Sequence, residues 1–352
     1  MGNEGSYGRA GSEITMKTPP HNLPHFVLIG CGGAGITIID RIGKVQISPV
    51  TTVAADTDNQ ALTSTQADIH ILLGNNQIKR WEEGDPAESP QASIKEHSEI
   101  EHLFEPGGIV FVVAGLGSGA GSGAASQIAK IARGKGALVI AIALFPFRIQ
   151  RKTVKDAEEG LRELLGYTDT VIVLDNDRYR NIFPNLSPEK VYLKVNRIAE
   201  DVLCRLIESI SLPYLINIDP DDFPSVFRNR GLAIILEAEC GNEETNKNEH
   251  VIRNCLNSPS FDIDYRSATG CLVLITAGQE FRRYDAEEIV RSLTFELNPT
   301  ADVVWCSNMK KTMGEKVRVY GIMTGIQQNS YREINQDFKD HGKTGGSHEG
   351  PS

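Results

Sequence analysis

From Gly115 to Ala125 the chain reads GLGSGAGSGAA, with five glycines among the nine residues 115–123. An unbroken apolar run, IVFVVA, precedes it, and SQIAKIARGKGA follows. That order restricts the fold sharply. A buried strand must run into a helix through a loop almost devoid of side chains. Ordering a glycine costs more backbone entropy than ordering any other residue, so such a loop makes sense when something lies against its main chain. Converging amides and a helix N-terminus then receive an anionic group.

Two more apolar runs, ALVIAIALF and DTVIVLDN, share this character, and HFVLIG, TTVAAD and ADIHILLG also read as strands. The continuous runs lack polar alternation, which suits parallel strands covered on both faces. Stretches such as ITIIDRIGK, SIKEHSEIEHLF and TVKDAEEGLRELLGY read as intervening helices, giving an alternating β/α order. The expectation is a doubly wound parallel-sheet α/β domain over residues 24–186. SPEKVYLKVNRIAEDVLCRLIESISL then reads as a long central helix, 187–212, with Ser187 as N-cap and Pro188 at the first helical position. Val191, Val195, Ile198, Val202 and Leu206 form one apolar face. Residues 213–327 read as a smaller α/β domain with a mixed sheet. The polar N-terminal arm, 1–23, reads as disordered and the tail, 328–352, as flexible.

The 352 residues carry a formal charge of -10, which argues against a nucleic-acid partner. No apolar run reaches the roughly 18 residues of a transmembrane segment, and the N-terminus lacks the apolar core of a signal peptide. Gly2 and Ser6 fit a loose myristoylation pattern, but a disordered polar arm is the favoured reading. Six scattered cysteines without a CxxC pair read as free thiols of a cytoplasmic protein.

A second glycine turn, GCGGAG at Gly30 to Gly35, fits G-x-G-x-x-G, and Asp56 and Asp58 follow the next strand where a ribose-binding acid belongs. Taken alone this suggests an NAD-dependent oxidoreductase. Such an enzyme has no use for the loop at Gly115. That loop is no Walker A motif either, since no Lys-Ser/Thr follows it.

GLGSGAGSGAA resembles the signature loop of the tubulin/FtsZ family, written GGGTGTG or GGGTGSG. The resemblance continues in order through ADTDNQAL, FPF, DAEEGL, DNDR, NIDPDD and LVLITAG, from about residue 25 to 327, and is nearer to FtsZ than to eukaryotic tubulin. It implies a GTPase that binds GTP or GDP with Mg2+. It also implies head-to-tail filaments that hydrolyse GTP between subunits, in cell division or a cytoskeletal role. Nucleotide contacts are implied for Gly32, Gly33, Ala34, Gly35 and Thr37, for Asp56 and Asp58, and for Gly117, Ser118, Gly119, Ala120, Gly121, Ser122 and Gly123. Pro146, Gln150 and Arg151 (or Lys152) join them near the ribose. Asn176 is implied at the base. On the central helix, Asn196 and Glu200 are assigned to the places where the family has a stacking aromatic and, four residues later, an acid or amide. Glu200 also reads as an ordinary solvated position. Asn217, Asp219 and Asp222 match N-x-D-x-x-D, the catalytic loop offered to a neighbour's nucleotide, although NIDPDD alone reads as a turn.

The departures are specific. Ala120 stands where the signature has Thr, while Ser122 keeps the second hydroxyl. RIQRK is one residue shorter than the family's segment, and Glu82 to Pro90 is acidic where FtsZ is glycine-rich. Negative charge near phosphates implies slow hydrolysis. The alternative is a GTP-binding filament or regulatory protein with little turnover. The tails are expected to recruit family paralogues or membrane-anchor proteins.

Overall fold

Strand β1 (Phe26–Cys31) is buried along its whole length. Its alternate residues enter two separate cores: Phe26 and Leu28 face one, Val27, Ile29 and Cys31 the other. This is the arrangement that continuous apolar runs dictate. The computed structural model describes residues 24–43, 50–73, 100–211, 216, 218–241, 246–257 and 264–327. The N-terminal arm, the acidic segment from Glu82 to Pro90, most of SIKEHSEIEHLF, Asn217 and the tail lie outside these residues.

After β1 come α1 (Gly32–Gly43), β2 (Val50–Asp56), α2 (Asn59–Thr63), β3 (Ile69–Leu72) and β4 (Ile109–Gly115). A π-turn (Ala120–Ala124) leads into α3 (Ala125–Gly134), followed by β5 (Leu138–Phe145), α4 (Arg151–Tyr167), β6 (Thr170–Asp175) and α5 (Asn176–Ile182). Helix α6 (Pro188–Ser211) precedes α7 (Phe223–Phe227), β7 (Gly231–Cys240), α8 (Lys247–Leu256), β8 (Gly270–Ala277), α9 (Arg283–Thr294), β9 (Asp302–Met309) and β10 (Val317–Ile326).

The ten strands form one sheet, ordered β3-β2-β1-β4-β5-β6-β7-β10-β8-β9. Strands β1 to β6 are all parallel to their neighbours. Beyond β7 the sheet is mixed: β10 runs antiparallel to β7 and β8, and β8 is parallel to β9. The two halves join where Thr170, Val171 and Ile172 of β6 pair with Gly231, Leu232 and Ala233 of β7.

Side-chain size sorts the helices between the faces. Strand β5 sends Leu138, Ile140, Ile142 and Leu144 to the core that contains the buried faces of α1, α6 and α7. Its Val139, Ala141, Ala143 and Phe145 face the core with α3, α4, α8 and α9. Small residues there let Ala129 and Ala132 of α3 and Ala157 of α4 lie close to the sheet. Along α6 the stripe Val191, Val195, Ile198, Val202 and Leu206 is fully inside, widened by Ala199, Leu203, Ile207 and Ile210. Each such fully buried Val, Leu or Ile side chain contributes about 1.5–3 kcal/mol.

Candidate functional site

Chain order reverses between β1 and β4: β2 and β3 lie to one side, β5 and β6 to the other. At such a switch point a crevice opens beyond the carboxyl ends of the strands. Both glycine turns sit there. Gly32 has φ 70°, and a Cβ built on it would lie 3.1 Å from the Gly121 amide nitrogen, so the first turn rests directly on the second. Gly117 has φ 89°, and a Cβ there would meet Thr153 at 2.4 Å. A Cβ on Gly35 would strike the Val113 carbonyl at 2.3 Å, which fixes α1 tightly against β4. Gly33 differs from these: nothing lies within 4 Å of its would-be Cβ. The N-terminus of α1 therefore opens on free space, with first-turn amides that have no acceptor in their own helix.

In front of these turns is a cleft of about 680 Å³, within the range of small-molecule sites. Gly33, Ala34 and Gly115 to Ser118 form its floor; Pro146, Phe147, Gln150 and Thr153 form one side. Asn176 and the α6 residues Pro188, Glu189, Tyr192 and Leu193 close the other. Asn176, which lines the cleft, and Asn196, one turn beyond Tyr192 on α6, are buried with polar atoms that have no partner among the described residues. Asn176 is 4% exposed with an unpaired Oδ1, and Asn196 is 0% exposed with neither Oδ1 nor Nδ2 paired. Polar atoms left so are costly unless a ligand completes them. A bare amide cradle at one end and orphaned amides at the other fit a phosphorylated nucleoside base.

Of the residues singled out in the sequence, Gly33, Ala34, Gly117, Ser118, Pro146, Gln150 and Asn176 line the cleft. Gly32 and Gly35 hold the turns in register behind it, Ala120 is buried, and Gly121 packs on the Gly115 carbonyl. Several others point elsewhere. Ser122 was expected to keep a phosphate-side hydroxyl. Its Oγ instead accepts the Gly117 N–H at 2.9 Å and lies against Gly160 of α4. With Gly119 and Gly123 it lines a separate hollow of about 280 Å³ beside Asp156, Glu159 and Glu163. Thr37 donates to the Gly33 carbonyl at 2.7 Å. Asp56 accepts the amides of Thr57 and Asp58, and Asp58 caps α2 through the Gln60 amide. Arg151 is exposed at the start of α4, next to exposed Lys152.

The helix pair needs a correction of register. Glu200 is not at the cleft; it accepts a 2.6 Å bond from Arg41 in the last turn of α1. Asn196 is too buried to present a stacking surface. The aromatic on the cleft is Tyr192, one turn earlier, followed four residues later by Asn196. An aromatic at i with Asn at i+4 was the available signal. The glycine φ values and the positions of Phe147, Thr153 and Leu193 carried no comparable signal.

Asp175 fixes the β6–α5 corner that presents Asn176. It accepts the Asp177 amide at 2.9 Å and faces Arg148 at 3.4 Å and Arg178 at 3.7 Å. Burial pushes its carboxyl above the ordinary range, opposed by those two guanidiniums. Cys31, beneath the first turn, is pushed up to about 12 by burial and by Asp56. It is an inert core thiol and no nucleophile.

Asp219 and Asp222 are exposed and lie far from this cleft. Asp219 accepts the Asp221 amide at 3.0 Å. Asp222 precedes α7 and makes no capping bond with its side chain. Helix α7 is tied to the opposite end of the parallel strands. Thr170, the first residue of β6, donates to the Phe227 carbonyl at 2.5 Å, and Thr324 donates to the Val226 carbonyl at 2.6 Å. The cleft begins beyond the last residue of the same β6 strand. Helix α6, which starts at the cleft and has 24 residues, spans about 36 Å at 1.5 Å per residue. One chain cannot bring these carboxylates to its own glycine turns.

Residues 25–184 match the tubulin/FtsZ family GTPase domain, and residues 231–327 match the FtsZ family C-terminal domain. The cell division protein FtsZ 2 of Halobacterium salinarum is 36% identical over 305 residues, covering 86% of this chain and 77% of that protein. FtsZ 2 of Methanocaldococcus jannaschii is 34% identical over 303 residues, covering 86% and 80%. A solved empty FtsZ dimer from M. jannaschii superposes with a TM-score of 0.78 at 31% identity, covering 88% of this chain and 90% of that one.

Proposed function

The chain belongs to the tubulin/FtsZ family of GTPases, and from that premise we propose how its two ends share one reaction. It is an FtsZ-like GTPase that binds GTP and GDP and self-associates. The phosphates lie on the amides of Gly33 to Gly35 and Gly117 to Gly119. The base enters between Phe147 and Tyr192, with Asn176 and Asn196 meeting its polar edge. Asp219 and Asp222 of a second, stacked copy reach the γ-phosphate and orient the attacking water. Positioning of this kind supplies most of the acceleration in phosphoryl transfer. Asn217 belongs to the same loop.

One observation carries this assignment: the open glycine cradle and the exposed aspartates lie at opposite ends of the parallel strands of one sheet. Head-to-tail stacking joins them, and a contact that does not close on itself extends into a filament. Mg2+ would be carried on the phosphates and offset their charge; among the described residues no group of three His, Cys, Asp or Glu is placed to hold it. The acidic hollow at Asp156, Glu159 and Glu163 adds negative charge beside the glycine loop, which favours slow turnover. Among the described residues no helix is long and apolar enough to cross a membrane. The relatives named cell division proteins support a cytoplasmic role in cell division or cytoskeletal organisation. The division into a nucleotide-binding unit (24–186), a central helix (187–212) and a second unit (213–327) is supported by the limits of the two family matches.

The test is identification of the nucleotide retained by the purified protein, followed by sedimentation with GTP and phosphate release on either side of the assembly concentration. Guanine nucleotide, GTP-dependent pelleting and release that rises with assembly are expected. Retained NAD, or turnover independent of assembly, would refute the shared site.

A further inference from the structure

The second glycine loop departs from its family signature at two places that compensate each other. Gly117-Ser118-Gly119-Ala120-Gly121-Ser122-Gly123 aligns with GGGTGTG, so a hydroxyl is missing at residue 120 and an extra one stands at residue 118. Ala120 is buried with its methyl in the apolar core under α3. Ser122 is committed to the Gly117 amide and lies against α4. Ser118 is the exposed hydroxyl of the loop; it lines the cleft and stands where the cleft adjoins the acidic hollow.

Its bonds suit a change of partner. Ser118 Oγ accepts the Gly121 N–H at 3.1 Å, so its single proton is available to one acceptor. That proton now makes a long 3.3 Å bond to the Gly115 carbonyl. The first turn is close by, since a Cβ on Gly32 would lie 3.4 Å from the same oxygen. An anion bridging the two turns therefore meets this hydroxyl, and a charged acceptor outcompetes a long neutral bond.

We propose that Ser118 supplies the phosphate-facing hydroxyl of the second glycine loop. This rests on the nucleotide reading given above. On binding, the Ser118 proton swings from the Gly115 carbonyl to a phosphate oxygen, while Gly121 N–H stays on the Ser118 oxygen and keeps the loop's shape. The ligand class is a guanosine di- or triphosphate, held through its phosphates.

The experiment compares wild type, Ser118→Ala and Ser118→Thr for affinity toward GDP, GTP and guanosine, below the concentration at which the chain assembles. Ser118→Ala is expected to weaken GDP and GTP about tenfold or more, the scale of one hydrogen bond to a charged group. Guanosine affinity should be unchanged, and Ser118→Thr should restore the nucleotides. Equal loss of guanosine would mean that the loop has merely collapsed, and wild-type affinity in Ser118→Ala would mean that the hydroxyl faces no phosphate; either overturns the assignment. If wild type prefers guanosine to GDP, the nucleotide reading itself fails, and this assignment fails with it.

Discussion

Replacing Asn196 by Leu should stabilise the empty protein and weaken its grip on nucleotide. Asn196 is 0% exposed, and both ends of its amide lack partners among the described residues. A buried polar group left unsatisfied costs about 1–3 kcal/mol. Leu keeps the branching at Cγ without that cost, so the empty variant should gain about 1–3 kcal/mol. At about 2–4 °C per kcal/mol for a large domain, its melting temperature should rise by a few degrees. With nucleotide the gap narrows. GDP at a hundredfold excess over its Kd stabilises wild type by about 2.7 kcal/mol. Loss of the amide should weaken GDP about ten- to a hundredfold, which at the same GDP concentration cuts that increment to about 0.4–1.4 kcal/mol. Thermal unfolding of both proteins, with and without GDP, reads all four numbers. A variant less stable than wild type when empty, or one that keeps the full GDP increment, would refute the account of Asn196.

Two other outcomes follow from the same structure. Phe295 is 83% exposed in the link from α9 to the first residue of β9, at the end of the strands that carries α7. Phe295→Glu should raise the concentration needed for GTP-dependent light scattering about tenfold or more, from the loss of one buried aromatic contact. GDP affinity should stay unchanged, and unaltered assembly would remove Phe295 from the interface. Asp68 accepts the Thr52 hydroxyl at 2.7 Å and the Thr52 amide at 2.8 Å, and these bonds hold its carboxyl below the ordinary range. A depressed carboxyl stabilises above its unfolded pKa and loses that contribution as pH falls through the folded value. The stability gap between wild type and Asp68→Asn should therefore shrink on acidification; a pH-independent gap in denaturant midpoints would contradict this.

The parallel half of the sheet was legible because strands buried on both faces must be apolar throughout, as FVLIGC and LVIAIALF are. The two glycine turns were legible for a related reason: their lack of side chains is visible in the residue types themselves. The register of the base wall was not. Tyr192, Asn196 and Glu200 recur at steps of four and share one helix face, so spacing identifies the face without saying which turn meets the cleft. The answer lies with Arg41, 159 residues away in the chain, which takes up Glu200. The direction of the Ser122 hydroxyl is likewise hidden from the sequence. In an alternating glycine–serine loop, which hydroxyl turns toward α4 is decided by the left-handed Gly117 and by the room that Gly160 leaves. The union of both halves in one sheet depends on a short pairing of β6 with β7, and no local pattern encodes it.

The central claim is that two chains complete one catalytic centre, and mixing two silent variants tests it. Gly33→Asp should fold, because no atom lies within 4 Å of the new Cβ, yet it sets a carboxylate at the mouth of the anion cradle. Asp222→Asn keeps the cradle and loses the carboxylate at the opposite end. Each alone should release little phosphate from GTP. Together, the intact cleft of one can meet the intact aspartates of the other, and turnover should return in proportion to mixed contacts. A mixture that co-sediments yet stays as silent as its components would contradict the shared site.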